Sequence, residues 1–130
     1  MCGRYFLPLD EANEELAEVI HAVSEKYGGD QPLAAHGEIY PGQMVPTLAN
    51  SRKGEPGAYA MQWGMSRPFG GTGIVINARS ETAECKGMFR ESWAERRCLI
   101  PAARYFEWER RGKEKVKYAI GPAGKAAFYL

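Results

Sequence analysis

The chain has 130 residues, is 45% apolar and 12% aromatic, and carries a net charge of +1. That is one domain's length with ample material for one packed core, which excludes a disordered or low-complexity chain. No run approaches the ~20 apolar residues of a membrane span, and no basic segment followed by an apolar one opens the chain, so a soluble, cytoplasmic protein without membrane contact is expected.

The cysteines, Cys2, Cys85 and Cys98, are three in number, widely spaced and without a CxxC pair. This argues against a disulfide framework and against a structural zinc site, and it points to a reducing compartment. No metal and no cofactor is expected. The charge is unevenly spread. Residues 1–85 hold six Lys/Arg and eleven Asp/Glu, a net of −5, whereas residues 86–130 hold eleven and five, a net of +6. A basic second part could meet phosphates, or it could be an ordinary solvated face.

In chain order, 3–7 reads as a short strand. Asp10 then caps a helix whose apolar positions Ala12, Leu16, Val19, Ile20, Val23 and Tyr27 recur at three and four, ending at Gly28-Gly29. Residues 30–42, with Pro32 and Pro41, read as an irregular loop. A strand over 44–49 turns through 50–57 and returns over 58–63. After the glycine-rich 64–73 comes a strand over 74–79, then a Ser80-capped helical stretch around 81–93 interrupted by Gly87. The remainder reads as β, over 98–100, 104–110, 116–120 and 126–130, separated by Pro101, Arg111-Gly112 and Gly121-Pro122 as in a meander of hairpins. The apolar run 126–130 stops without a turn or polar tail, so the natural protein is expected to continue. The fold class is α+β.

Cys2 directly follows Met1. Removal of Met1 would leave a 1,2-aminothiol, with an amine of ordinary pKa ~7.7 and a thiol of ~8.5, both partly available as nucleophiles at neutral pH. An aldehyde can condense with the amine as a Schiff base and be captured by the thiol as a thiazolidine, which an internal cysteine cannot do. The plain alternative is an allowed residue at the start of a strand.

Two further clusters carry chemistry. Alternation along 74–79 would put Asn77 and Arg79 on one face, where an amide orients an oxygen and a guanidinium binds a phosphate, or where they simply end a strand. Along 104–109, Phe106 and Trp108 fall on one face and Tyr105, Glu107 and Glu109 on the other. A carboxylate among aromatics can work as a general acid or base, or the segment is a half-buried strand.

Taken together, Met1-Cys2-Gly3-Arg4-Tyr5, Tyr40-Pro41-Gly42, Gln62-Trp63-Gly64, Ile76-Asn77-Ala78-Arg79-Ser80-Glu81-Thr82, and Arg97-Cys98-Leu99-Ile100-Pro101 leading to Tyr105-Phe106-Glu107-Trp108 resemble the SRAP family in order and spacing. The resemblance covers essentially the whole chain. It implies mostly antiparallel sheets curled into a barrel-like core with a few flanking helices, cut short at the C-terminus, in a single domain over 1–130. It also implies a monomer whose partner is single-stranded DNA containing an abasic site, where the processed N-terminal cysteine forms a thiazolidine crosslink in the DNA-damage response.

On that resemblance Cys2 is the nucleophile, Asn77 positions the sugar or the Cys2 terminus, and Glu107 handles protons. Arg79 and Arg4 hold phosphates or the opened sugar, and Trp108 and Pro41 line the DNA groove. Phe69 falls where members carry a tryptophan that stacks on a base, whereas Gly70 departs from members with a second aromatic there. The family's catalytic histidine has no counterpart, since His21 lies in the first helix and His36 in the loop. Two other readings stay open: an N-terminal-nucleophile cysteine peptidase or hydrolase, and a non-covalent single-stranded-DNA-binding module.

Overall fold

The first strand runs through the interior of a sheet, not along its edge, and this organises the rest of the molecule. The computed structural model describes residues 3–8, 14–28 and 32–130. Strand β1 (Arg4–Leu7) leads to helix α1 (Glu14–Tyr27), followed by β2 (Gly37–Ile39), β3 (Met44–Asn50), β4 (Pro56–Gln62), β5 (Met65–Ser66) and β6 (Ile74–Val75). Short helices α2 (Ser80–Ala83) and α3 (Arg90–Glu95) precede β7 (Cys98–Leu99), β8 (Pro101–Ala102), β9 (Arg104–Arg111), β10 (Glu114–Ile120) and β11 (Phe128–Tyr129).

A four-stranded sheet has the order β10-β9-β1-β2, a three-stranded sheet the order β4-β3-β7, and two further pairs are β11-β8 and β5-β6; every strand pairing is antiparallel. Side chains alternate along each strand, so one face of the four-stranded sheet carries Tyr5, Leu7 and Ile39 into the core, all essentially inaccessible. They join Leu16 of α1, Val45 of β3 and Ala102 of β8, with Trp63, Ile100, Tyr105 and Phe128 packed around them. The helical spacing of Leu16, Val19 and Val23 aims a buried stripe at β3 and β4.

Several expectations need correction. The sheets do not close into a barrel among the described residues: β2 and β10 end the largest sheet, and neither pairs onward. Closure needs an unbroken ladder, and strands of two or three residues at β2, β5, β6, β7, β8 and β11 cannot supply one. The second half is not a simple meander, because only β9 and β10 form a local hairpin while β7 pairs with β3 and β8 with β11. The stretch expected as an irregular loop contains β2, and the glycine-rich one contains β5 and a 3-10 turn at Pro68–Gly70. Strand β6 stops at Val75, four residues short. The N-cap of α2 is Arg79, not Ser80, without a side-chain cap bond; its carbonyl accepts the first intrahelical bonds, from Thr82 and Ala83 N–H at 3.1 and 2.9 Å. The expected cap Asp10 and Ala12 lie outside the described residues.

Candidate functional site

The motifs scattered along the chain are tied together by backbone bonds. The Tyr40-Pro41-Gly42 turn donates from Gly42 N–H to the Trp63 carbonyl at 2.8 Å, and Trp63 N–H returns a bond to the Gln43 carbonyl at 2.9 Å. The Gln62 side chain adds a bond from Nε2 to the Gly42 carbonyl at 3.1 Å. Trp63 in turn packs on Tyr5, with ring centroids 5.4 Å apart.

Gly64 has φ +123, and a Cβ there would stand 2.8 Å from Ile74 Cδ1. Glycine is therefore required both by the backbone and by the side chain of β6 that fills the space above it. Ile74 anchors the segment that runs on to Asn77 and Arg79, Asn77 half-buried and Arg79 exposed. Because no ladder extends beyond Val75, the period-two argument that put Asn77 and Arg79 on one face does not apply to them.

The two faces of β9 differ in chemistry. Register pairs Arg4 with Phe106 and Lys117 with Trp108, and the phase of the pleat puts all four on the face opposite the core. There the Arg4 guanidinium sits 4.8 Å from the Tyr40 ring centroid and 5.1 Å from that of Trp108, and the Lys117 ammonium 3.9 Å from that of Phe106. Both cations converge on a single oxygen: Glu38 Oε1 accepts from Arg4 Nη1 at 3.1 Å and from Lys117 Nζ at 2.7 Å. The Lys117 bond, and after it the Arg4 bond, holds the Glu38 carboxyl below its ordinary value against an opposing desolvation. It stays ionised at neutral pH.

Glu107 lies on the other face of β9, paired with Tyr118 and sharing that face with Tyr105, whose ring meets Phe128 at 6.3 Å. It is half-buried. Further along the same face, Glu109 accepts from the Tyr118 hydroxyl at 2.7 Å and from Arg111 Nε at 2.9 Å, which clamps the hairpin near its turn. Tyr118 first and Arg111 second keep the Glu109 carboxyl below its ordinary value.

Of the residues singled out from sequence, the structure gathers Arg4 and Trp108, with Pro41 in the turn beside Tyr40, and sets Glu107 across the sheet from them. Cys2 lies outside the described residues, as does the side chain of Phe69. The remaining cysteines, Cys85 and Cys98, are free, and burial pushes the Cys98 thiol up despite neighbouring Arg97. His21 is an exposed helix residue 3.7 Å from Glu25, and His36 is exposed.

Sequence reasoning missed Glu38, Tyr40 and Lys117. Lys117 had a signal: counting back from the two-residue turn Gly112-Lys113 puts it opposite Trp108. Glu38 had none, because β2 is three residues long and begins at Gly37, with φ +79.

The fold is one already seen in solved structures. A crystal structure of a protein from Bordetella bronchiseptica, 26% identical, matches with a TM-score of 0.65 over 99% of this chain and 61% of that one. Another from Bacteroides thetaiotaomicron, 24% identical, shares the fold at a TM-score of 0.71 over 99% and 58%. The class is thus an α+β fold of short antiparallel sheets.

Residues 1–130 match the family model described as SOS response associated peptidase (SRAP), and the chain belongs to that family. The abasic site processing protein YoqW of Bacillus subtilis (strain 168) is 32% identical over 124 residues, 85% of this chain and 49% of that protein. The abasic site processing protein YedK of Escherichia coli (strain K12) is 28% identical over 120 residues, 92% of this chain and 53% of that protein. The chain therefore spans about half the length of the curated relatives it matches. Among the described residues no helix is long and apolar enough to cross a membrane.

Proposed function

We propose that this chain engages abasic sites in single-stranded DNA and, once Met1 is removed, joins them covalently through Cys2. The observation that carries the reading is the placement of β1. Gly3, to which Cys2 is bonded, precedes a strand paired at Arg4 with Phe106, and antiparallel β9 continues from there through Glu107 and Trp108. One residue along, its two faces offer a carboxylate on one side and a cation-aromatic surface on the other. Family membership and the names of the relatives support the same substrate class.

The chemistry balances without an oxidant. The Cys2 amine adds to C1′ of the open-chain sugar aldehyde, and loss of water leaves a Schiff base. The thiol then adds to that carbon while its proton passes to nitrogen, closing the thiazolidine. In this reading Glu107 takes and returns those protons, Asn77 orients the sugar or the terminus, and Arg79 and Arg4 hold phosphates. Trp108, Pro41 and Phe69 line the strand.

The test incubates Met1-processed protein with an oligonucleotide carrying one abasic site and separates the products under denaturing conditions. A shifted band is expected that is lost in Cys2→Ala and in protein with a blocked terminus. Turnover of an acyl substrate without a band would favour a hydrolase, and salt-sensitive binding unaffected by Cys2→Ala and without a band would leave only a binding module. Equal crosslinking by a blocked terminus would refute the aminothiol chemistry.

A further inference from the structure

Charge on the β9–β10 hairpin is largely sorted by face. The acids Glu107, Glu109 and Glu114 alternate onto the core side, where Arg111 pairs with Glu109, while Arg104, Arg110, Lys115 and Lys117 alternate onto the outer side with Phe106 and Trp108. Arg110 and Lys115 stand directly opposite one another at the far end of this face, both exposed, and neither meets a carboxylate among the described residues. Like charges placed opposite in a ladder disfavour the sheet, and an anion from outside would relieve that repulsion. At the near end, Arg4 and Lys117 already hold one: a single Glu38 oxygen bridges them from β2 across the full width of the sheet. Glu38 is the only carboxylate that the strands of this sheet direct to that face among the described residues.

Resting on the reading above, we infer that the outer face of the four-stranded sheet is a track for single-stranded DNA, with phosphate sites at Arg4/Lys117 and at Arg110/Lys115 and bases over Phe106 and Trp108. Glu38 is the resident anion that a phosphate must displace at the first site. Aromatic rings between cations form the surface that takes a strand regardless of sequence, since every base has a face to stack and every linkage a charge to neutralise. A carboxylate and a phosphodiester present the same kind of acceptor to an Arg fork and a Lys ammonium, so exchanging them needs no change of backbone. Glu38 thereby keeps the two cations aligned and weakens the grip on strands that offer phosphate alone.

The experiment titrates the full chain with a fluorescent oligothymidylate that has no lesion, so that Cys2 chemistry is not involved, at about 50 to about 200 mM salt. The double variant R110Q/K115Q is expected to bind several-fold more weakly, with a slope of log K against log salt shallower by about 0.7 for the one phosphate site lost. Glu38→Gln is expected to bind about 3-fold more tightly at the low-salt end, with a steeper slope. A variant that merely misfolds cannot gain affinity, so this opposite sign guards the test.

Wild-type affinity and slope in R110Q/K115Q, or a Glu38→Gln chain that binds no tighter than wild type, would overturn the track. If these shifts appear while abasic DNA forms no Cys2 adduct, the track stands and the crosslinking reading fails. Normal crosslinking with unaltered binding by both variants has the reverse meaning.

Discussion

Replacing Gly64 by alanine should test how the site is held together. The backbone there has φ +123, and the new Cβ would lie 2.8 Å from Ile74 Cδ1, 3.1 Å from its Cβ and 3.3 Å from its Cγ1. Two costs add. Holding a non-glycine residue in that conformation costs roughly 1–3 kcal/mol, and forcing a methyl into filled space costs roughly 1–3 kcal/mol more. A Gly64→Ala chain should therefore lose about 2–6 kcal/mol in urea denaturation followed by circular dichroism, a large part of a domain's usual ~5–15.

Gly54 separates the terms, since it has φ +83 but nothing within 4 Å of its Cβ position. Gly54→Ala should show the conformational cost without the crowding. Trimming the neighbour in Gly64→Ala/Ile74→Val removes the atom at 2.8 Å and should recover part of the crowding cost, about 1 kcal/mol. If Gly64→Ala costs no more than Gly54→Ala, or if Ile74→Val restores nothing in that background, the packing of Ile74 over Gly64 is not what secures the segment leading to Asn77.

Two further outcomes follow from single groups. The Tyr5 hydroxyl is buried, with no hydrogen-bond partner among the described residues, and burial raises its pKa. Tyr5→Phe should keep the ring contact with Trp63 and stabilise this chain by about 1 kcal/mol in the same urea assay, and a loss of stability would show that the hydroxyl is satisfied in solution. Glu38 has a carboxyl held below its ordinary 4.5 by Lys117 and Arg4, so its ion pairs contribute fully above about pH 5 and are lost as pH falls through the lowered value. The stability difference between wild type and Glu38→Gln, at most about 1 kcal/mol for so accessible a pair, should shrink from about pH 6 to about pH 3. A difference that stays constant over that range would remove Glu38 as its source.

Legibility from sequence was highest where a local period is long. The α1 stripe, the β3–β4 hairpin and the β9–β10 hairpin could all be read before the structure, because each repeats a spacing over seven or more residues, although the turn expected at Arg111-Gly112 falls one residue later, at Gly112-Lys113. The division of Glu107 from Trp108 across β9 came from the same alternation and agrees with the register. Expectations failed where the local signal was short or ambiguous. Residues 74–79 look like a strand, yet pairing stops at Val75, and Ser80 has a capping side chain while Arg79, which makes no side-chain cap bond, stands at the N-cap. The barrel-like core came from resemblance, and the described strands form four separate sheets.

The sequence by itself determined what kind of chemistry is available. Cys2 behind Met1 has aminothiol potential wherever it lies, and alternation alone sorts the acids of the last hairpin from Phe106 and Trp108. Only the tertiary structure decided who meets whom. Arg4 and Glu38 are 34 residues apart, and Glu38 and Lys117 are 79 apart, yet one oxygen joins all three. A period along one strand says which face a side chain takes. Which strand lies beside it depends on burying Tyr5, Leu7 and Ile39 against α1 and β3, a choice made by the whole core at once. That choice put β1 between β2 and β9, and with it a carboxylate that no local pattern announced between the two cations at the start of the site.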